Sequence, residues 1–216
     1  MVLDLEMEFT LWLAFASASL ALLLIPGPTV LLVLAYALGQ GRRVAVPTAL
    51  GVAVGDLIAM SASLAGLGAL VLTSATLFTV LKWVGAVYLI WLGVRMILGA
   101  KASPMDVSAK TQPISARAAF VNAAAVTALN PKSIVFFIAF VPQFLSAEAP
   151  LLPQASVLIA TFVAFAALNA LAYALLADRL RAAIRRPNVL VWMTRTGGLA
   201  LIAMGLATAT LRRATA

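Results

Sequence analysis

The sequence predicts an all-α membrane protein: six transmembrane helices forming two inverted three-helix repeats, with helices one and four broken inside the bilayer. Three observations predict it. The 216 residues are 64% hydrophobic and only 10% charged, whereas soluble domains are roughly 45–50% apolar and about 25% charged. Apolar runs long enough to cross a bilayer, which takes about 20 helical residues, recur along the chain. Prolines lie well inside two of these runs, in "IPGPT" (25–29) and "LNPKS" (129–133). Open strands cannot satisfy their backbone groups in lipid, so each span is read as a helix.

Taken in order, the first span covers about 9–38, the second about 44–72 and the third about 77–98. They form a first repeat over 1–99. The stretch 100–113 is polar and reads as a cytoplasmic linker. The second repeat, 114–216, holds spans at about 116–145, 151–176 and 189–211. The N-terminus opens on Asp4, Glu6 and Glu8, unlike the basic start of a signal peptide. Several spans exceed the bilayer thickness, so tilting or breaking is expected.

The halves match in order. Gly85 and Gly93 bracket Leu89-Ile90 in the third span, and Gly197 and Gly205 bracket Leu201-Ile202 in the sixth with the same spacing. The proline breaks fall at comparable places in spans one and four. Asp56 stands alone in the second span as Asn169 does in the fifth. Three helices repeated once across a membrane are necessarily inverted, the plan of many secondary transporters.

The net charge is +8. With six spans, Arg42, Arg43, Arg95, Lys101, Lys110, Arg117, Arg179, Arg181, Arg185, Arg186 and Arg195 fall on one side. Lys82, Arg212 and Arg213 fall on the other. The positive-inside rule then places both termini outside the cytoplasm. This distribution accounts for the basic excess without nucleic acid.

Two breaks at membrane depth carry the first functional expectation. Pro26, Gly27 and Pro28 interrupt span one, and Asn130, Pro131 and Lys132 interrupt span four. A break frees backbone amides and carbonyls, tolerated only where protein or a water-filled cavity satisfies them. Half-helix N-termini then present amides and a positive dipole end to an anion such as a carboxylate. A plain kink is the competing reading, and its repetition in both halves argues against it.

Asp56 and Lys132 are the only ionisable groups deep in their spans. Each must be paired or hydrated, because a charge near the bilayer centre costs at least about 2.5–3.5 kcal/mol. They suit each other, or the ammonium and carboxylate of a zwitterion. Asp56 is the candidate for proton coupling. Lys132 either binds substrate or caps the C-terminal end of a broken helix. Asn169, mirroring Asp56, completes the candidate substrate site. Gly51 and Gly55, four apart beside Asp56, read as a helix-packing surface.

The chain contains no histidine and no cysteine. That removes His-Glu-x-x-His metalloproteases, serine–histidine dyads, thiolate metal sites and cysteine nucleophiles. An aspartyl dyad lacks its second deep acid. "GQGRR" (39–43) lacks the spacing and Lys-Ser/Thr end of a phosphate-binding loop. No enzyme and no cofactor are expected.

The proline-glycine-proline of span one, the Gly51/Gly55/Asp56 cluster and "LNPKSIVFFIAFVPQF" (129–144) together resemble the LysE/RhtB family of bacterial amino-acid exporters. The resemblance covers nearly the whole chain. It implies an inner-membrane protein that exports amino acids or close derivatives in exchange for protons, as a homo-oligomer. It places Pro26, Gly27, Pro28, Asp56, Asn130, Pro131 and Lys132 at the family's motif positions. The family's substrates include lysine, arginine, threonine, homoserine and leucine, and nothing here selects one. A passive channel or a non-catalytic subunit is the alternative function.

Overall fold

A computed structural model describes residues 9–25, 27–73, 75–100, 113–145, 149–184 and 187–210. Pro26, most of the expected linker and both chain termini lie outside the described residues. Among the described residues the secondary structure is entirely helical. The helices are α1 (Phe9–Leu24), α2 (Pro28–Gln40), α3 (Ala45–Thr73), α4 (Ala75–Gly99), α5 (Ala116–Ala128), α6 (Pro131–Ala139), α7 (Leu151–Ile184) and α8 (Pro187–Thr210). Short 3-10 turns follow α2 and α6, at Gly41–Val44 and Val141–Phe144.

Both expected breaks are present. The pair α1 and α2 bends by 55° across its break, and the pair α5 and α6 bends by 46°. The second break forms because Pro131 has no N–H and disfavours helical backbone at Asn130, whose φ and ψ are −70° and 110°. Leu129 N–H still reaches Ala125 O, and the ladder restarts with Ile134 N–H on Asn130 O.

The chain is a multi-pass membrane protein. Among the described residues three helices are long and apolar enough to cross a bilayer alone, and five spans result if each bent pair counts as one. The helix α8 lies where the sixth span is expected and packs along the length of α4.

Polarity runs inside out. Large apolar side chains such as Leu13, Leu31, Leu50, Trp83, Leu168 and Leu199 are exposed, while Asp56, Thr127, Asn130, Lys132 and Ser133 are buried. This suits a protein whose solvent is hydrocarbon, where helices associate by close packing and polar contacts instead of apolar burial.

Close packing is densest at the glycines. A methyl group added at Gly55 of α3 would lie 2.6 Å from Ala124 O and 2.7 Å from Thr127 Cβ of α5. Gly51 meets Phe120 and Ala123 in the same way, so α3 and α5 run parallel with touching backbones. In α4 and α8 the contacts reciprocate: Gly93 sits against Gly198 and Ile202, and Gly205 against Ala86 and Ile90. Those helices run antiparallel. Elsewhere α3 packs on α6 and α7, α7 on α1 and α2, and α6 on α4.

An aromatic cluster of Phe15, Phe136, Phe137, Phe140, Phe144 and Phe162 ties α1, α6 and α7 together beyond the break. The Phe137 and Phe162 rings meet edge to face with centroids 4.8 Å apart, a geometry worth about 0.5–1.5 kcal/mol.

Candidate functional site

The two breaks lie against each other, and each supplies partners to the other. The C-terminal end of α1 exposes carbonyls that no helical amide reaches. Three of them, and the Ile25 carbonyl just beyond, accept side-chain donors from other helices, and Leu22 O also takes the Ile25 amide at 3.2 Å. Lys132 Nζ, from the first turn of α6, donates to Leu22 O at 3.2 Å and to Ile25 O at 3.1 Å. Asn169 Nδ2, from α7, donates to Leu23 O at 3.1 Å, and Tyr173 OH, one turn later, donates to Leu24 O at 3.4 Å. Of the two uses the sequence leaves open for Lys132, the helix-capping one is what this geometry displays.

The N-terminal end of α6 is closed by its own sequence. Asn130 Oδ1 accepts from the Lys132 amide at 3.1 Å, and Pro131 has no amide to satisfy. Asn130 Nδ2 reaches across to Thr29 Oγ1 at 3.4 Å, and Thr29 Oγ1 lies 3.3 Å from Thr127 Oγ1 at the end of α5. The N-terminal end of α2 differs. Its N-cap is Gly27, which offers no side chain. Pro28 has no amide, and the first ladder bond is Leu31 N–H on Gly27 O at 2.9 Å. The Thr29 and Val30 amides therefore face outward without a cap. Of the two half-helix N-termini expected to attract an anion, only α2 is open.

Asp56 completes the arrangement. It is buried, and its Oδ1 accepts no hydrogen bond. It lines one small cavity with Gly27, Thr29, Asn130, Lys132 and Asn169. The structure thus gathers every described site residue the sequence singles out except Pro28 and Pro131, which shape the backbone beside it. Gly51 and Gly55 lie apart from the cavity, on the α5 face of α3. The cavity's free volume is about 30 Å³, room for one or two waters. The rest of its wall is Ser133 and Tyr173 with the apolar Leu22, Leu23, Val30, Val33, Val52, Ala166 and Ala170. The described residues include no group of three or more His, Cys, Asp or Glu side chains able to hold a metal.

The sequence reading did not name Thr29, Thr127, Ser133 or Tyr173 as site residues. Tyr173 was within reach, since it sits four residues after Asn169 and so on the same helix face. Thr29 and Thr127 meet only through tertiary contact.

This combination of broken helices and buried opposite charges invites comparison with known proteins. The family model for LysE type translocators matches residues 20–212. The chain belongs to that family. Among relatives of this LysE type translocator is an uncharacterized membrane protein of Vibrio cholerae, 32% identical over 206 residues, covering 95% of this chain and all of the relative. The homoserine/homoserine lactone efflux protein of Salmonella typhimurium is 34% identical over 211 residues, covering 96% of this chain and all of that protein. The leucine efflux protein of Salmonella choleraesuis is 34% identical over 125 residues, 58% of each chain. No solved structure matches the translocator.

Proposed function

We propose that this chain is a secondary transporter of the bacterial inner membrane that exports amino acids or close derivatives by proton antiport with alternating access. The observation that carries the reading is Asp56, a buried acid with an unpartnered oxygen beside the uncapped amides of α2. That pair is complementary to a zwitterion. The substrate ammonium pairs with Asp56, and its carboxylate takes the Thr29 and Val30 amides at the positive end of α2. Lys132, Asn130 and Asn169 hold the two breaks in the shape that exposes these groups. The relatives named for homoserine/homoserine lactone and leucine efflux support the substrate class: homoserine and leucine carry both charged groups, and the lactone keeps the ammonium alone.

Transport requires more than this one conformation. A cavity of about 30 Å³ is smaller than any amino acid, so the helices must part for substrate to load. The packing supports an inverted pair of three-helix units as the moving parts. The contact of α3 with α5 is answered by α7 with α1, and that of α3 with α6 by α7 with α2. The reciprocal glycine contacts of α4 and α8 have the same symmetry. Counting α8 as the sixth span, the basic loops lie in the cytoplasm and both termini outside. Asp56 then takes a proton on the outer side as substrate leaves and releases it on the inner side as substrate binds.

The test is export from proteoliposomes. Wild-type protein concentrates substrate toward an acidic exterior, and Asp56→Asn does not. Unchanged pH-driven export by the variant would sink the assignment of Asp56. Substrate movement that never exceeds equilibrium in the wild type would establish the passive channel instead.

A further inference from the structure

The C-terminal end of α1 has the makings of a cation site. Carbonyl oxygens there carry the negative end of the helix dipole, about half an elementary charge. Half-helix C-termini and unwound carbonyls are groups that coordinate small cations inside membrane proteins. Here two of them, Leu22 O and Ile25 O, converge within 3.2 Å of one positive nitrogen, Lys132 Nζ. The ammonium fits because residue 27 is glycine: an added Cβ would stand 3.2 Å from Nζ and 3.5 Å from Cε. The carboxylate of Asp56 lines the same cavity and supplies opposing charge. Lys132 itself is only 9% exposed. Without an ammonium there, Ile25 O loses its donor and Leu22 O keeps only the Ile25 amide at 3.2 Å, in a setting where an unsatisfied polar group is costly.

We propose that the C-terminal end of α1 is a monovalent-cation site whose resident ion is the tethered ammonium of Lys132. The site is filled by the protein itself, so the wild-type chain needs no inorganic cation there. Removing the side chain opens it to a small soluble cation. The proposal goes beyond the exporter reading and does not depend on it, because it rests on the hydrogen bonding of α1.

Thermal unfolding of the purified full chain tests it, with methylammonium chloride and sodium chloride compared against N-methyl-D-glucamine chloride at equal ionic strength. Lys132→Ala unfolds below the wild type in N-methyl-D-glucamine, whose cation is too large for the site. Methylammonium raises its midpoint saturably, by about 3–5 °C at ten times the dissociation constant. The wild type and Lys132→Arg, which retain a tethered cation, show no such cation-specific rise. If Lys132→Ala aggregates, it is purified in methylammonium. Recovery of folded protein there and not in N-methyl-D-glucamine is then the expected result, and recovery in neither overturns the proposal. The same midpoint for Lys132→Ala in every salt overturns it too, as does an equal methylammonium response in the wild type. The readout is stability, so each of these outcomes is independent of whether the chain exports an amino acid.

Discussion

One substitution at two glycines of the same helix should act in opposite directions. Gly55→Ala places a methyl group 2.6 Å from Ala124 O, 2.7 Å from Thr127 Cβ and 3.0 Å from Ala128 N. Two of those three neighbours are backbone atoms of α5, so no rotamer change relieves the overlap. The helices must part by most of an ångström to restore normal contact. A gap of 0.5–1 Å forfeits roughly a quarter to a half of the dispersion well for the atoms along the seam. Overpacking of this kind costs about 1–3 kcal/mol, and the helix gains about 0.5–1 kcal/mol from replacing glycine. The net expectation is about 1–2 kcal/mol lost, a fall of roughly 2–8 °C in the unfolding midpoint for a chain of this size. Gly66→Ala meets nothing within 4 Å, so only the helix gain remains and the midpoint holds or rises. Both are read from intrinsic tryptophan fluorescence of detergent-purified protein during heating. A Gly55→Ala protein at least as stable as the wild type would refute the close-contact reasoning for α3 and α5.

Other outcomes follow from the same geometry. Asn169→Ala leaves Leu23 O without a donor and should cost about 1–3 kcal/mol, visible as a lower midpoint; an unchanged midpoint means water replaces the amide at no cost. Asn130→Ala removes the cap of α6 and should cost about 1 kcal/mol, checked in the same assay. Gly93→Val drives a branched side chain into the backbone of α8 at Gly198 and should cost about 1–3 kcal/mol, with no direct change to the cavity. Export from vesicles at fixed inner pH should rise as outer pH falls, because protons then load from the outside, and Asp56→Asn should flatten that profile.

The breaks were legible because proline and glycine act through the local backbone, and the same holds for the burial of Asp56 in an apolar run. The glycine pair in α3 was legible as a packing surface, but its partner was not: α5 lies more than sixty residues away, and its small-residue stripe of Ala119, Ala123 and Thr127 does not say which helix it meets. The partners of Lys132 were also beyond reach. Its acceptors are main-chain carbonyls 107 and 110 positions earlier, and carbonyls leave no trace in side-chain sequence. The same limit explains why the sequence treats the two broken helices as equal anion sites. Asn130 fills its own helix end and Gly27 leaves the other open, a distinction visible in the residue types only once the N-cap positions are known.

Two forces hold the first break open, and they are separable. Prolines 26 and 28 remove amides that a continuous helix would direct at the carbonyls of residues 22 and 24. Those carbonyls instead accept from Lys132 and Tyr173, with the Ile25 amide sharing Leu22 O. Replacing both prolines with alanine restores the missing donors, which then compete with the ammonium and the phenol for the same oxygens. A helical amide is held close to its acceptor by the backbone, whereas Lys132 and Tyr173 reach theirs at 3.2 and 3.4 Å by ordering long side chains. The helical bonds should win. The double variant is therefore expected to fold with a straighter first span, to release Lys132 from Leu22 O and to lose the outward-facing amides of Thr29 and Val30 into the ladder. Export should fall to the level of empty vesicles while the unfolding midpoint holds. Retention of full export would show that the bend is only a kink and that the substrate carboxylate is bound elsewhere.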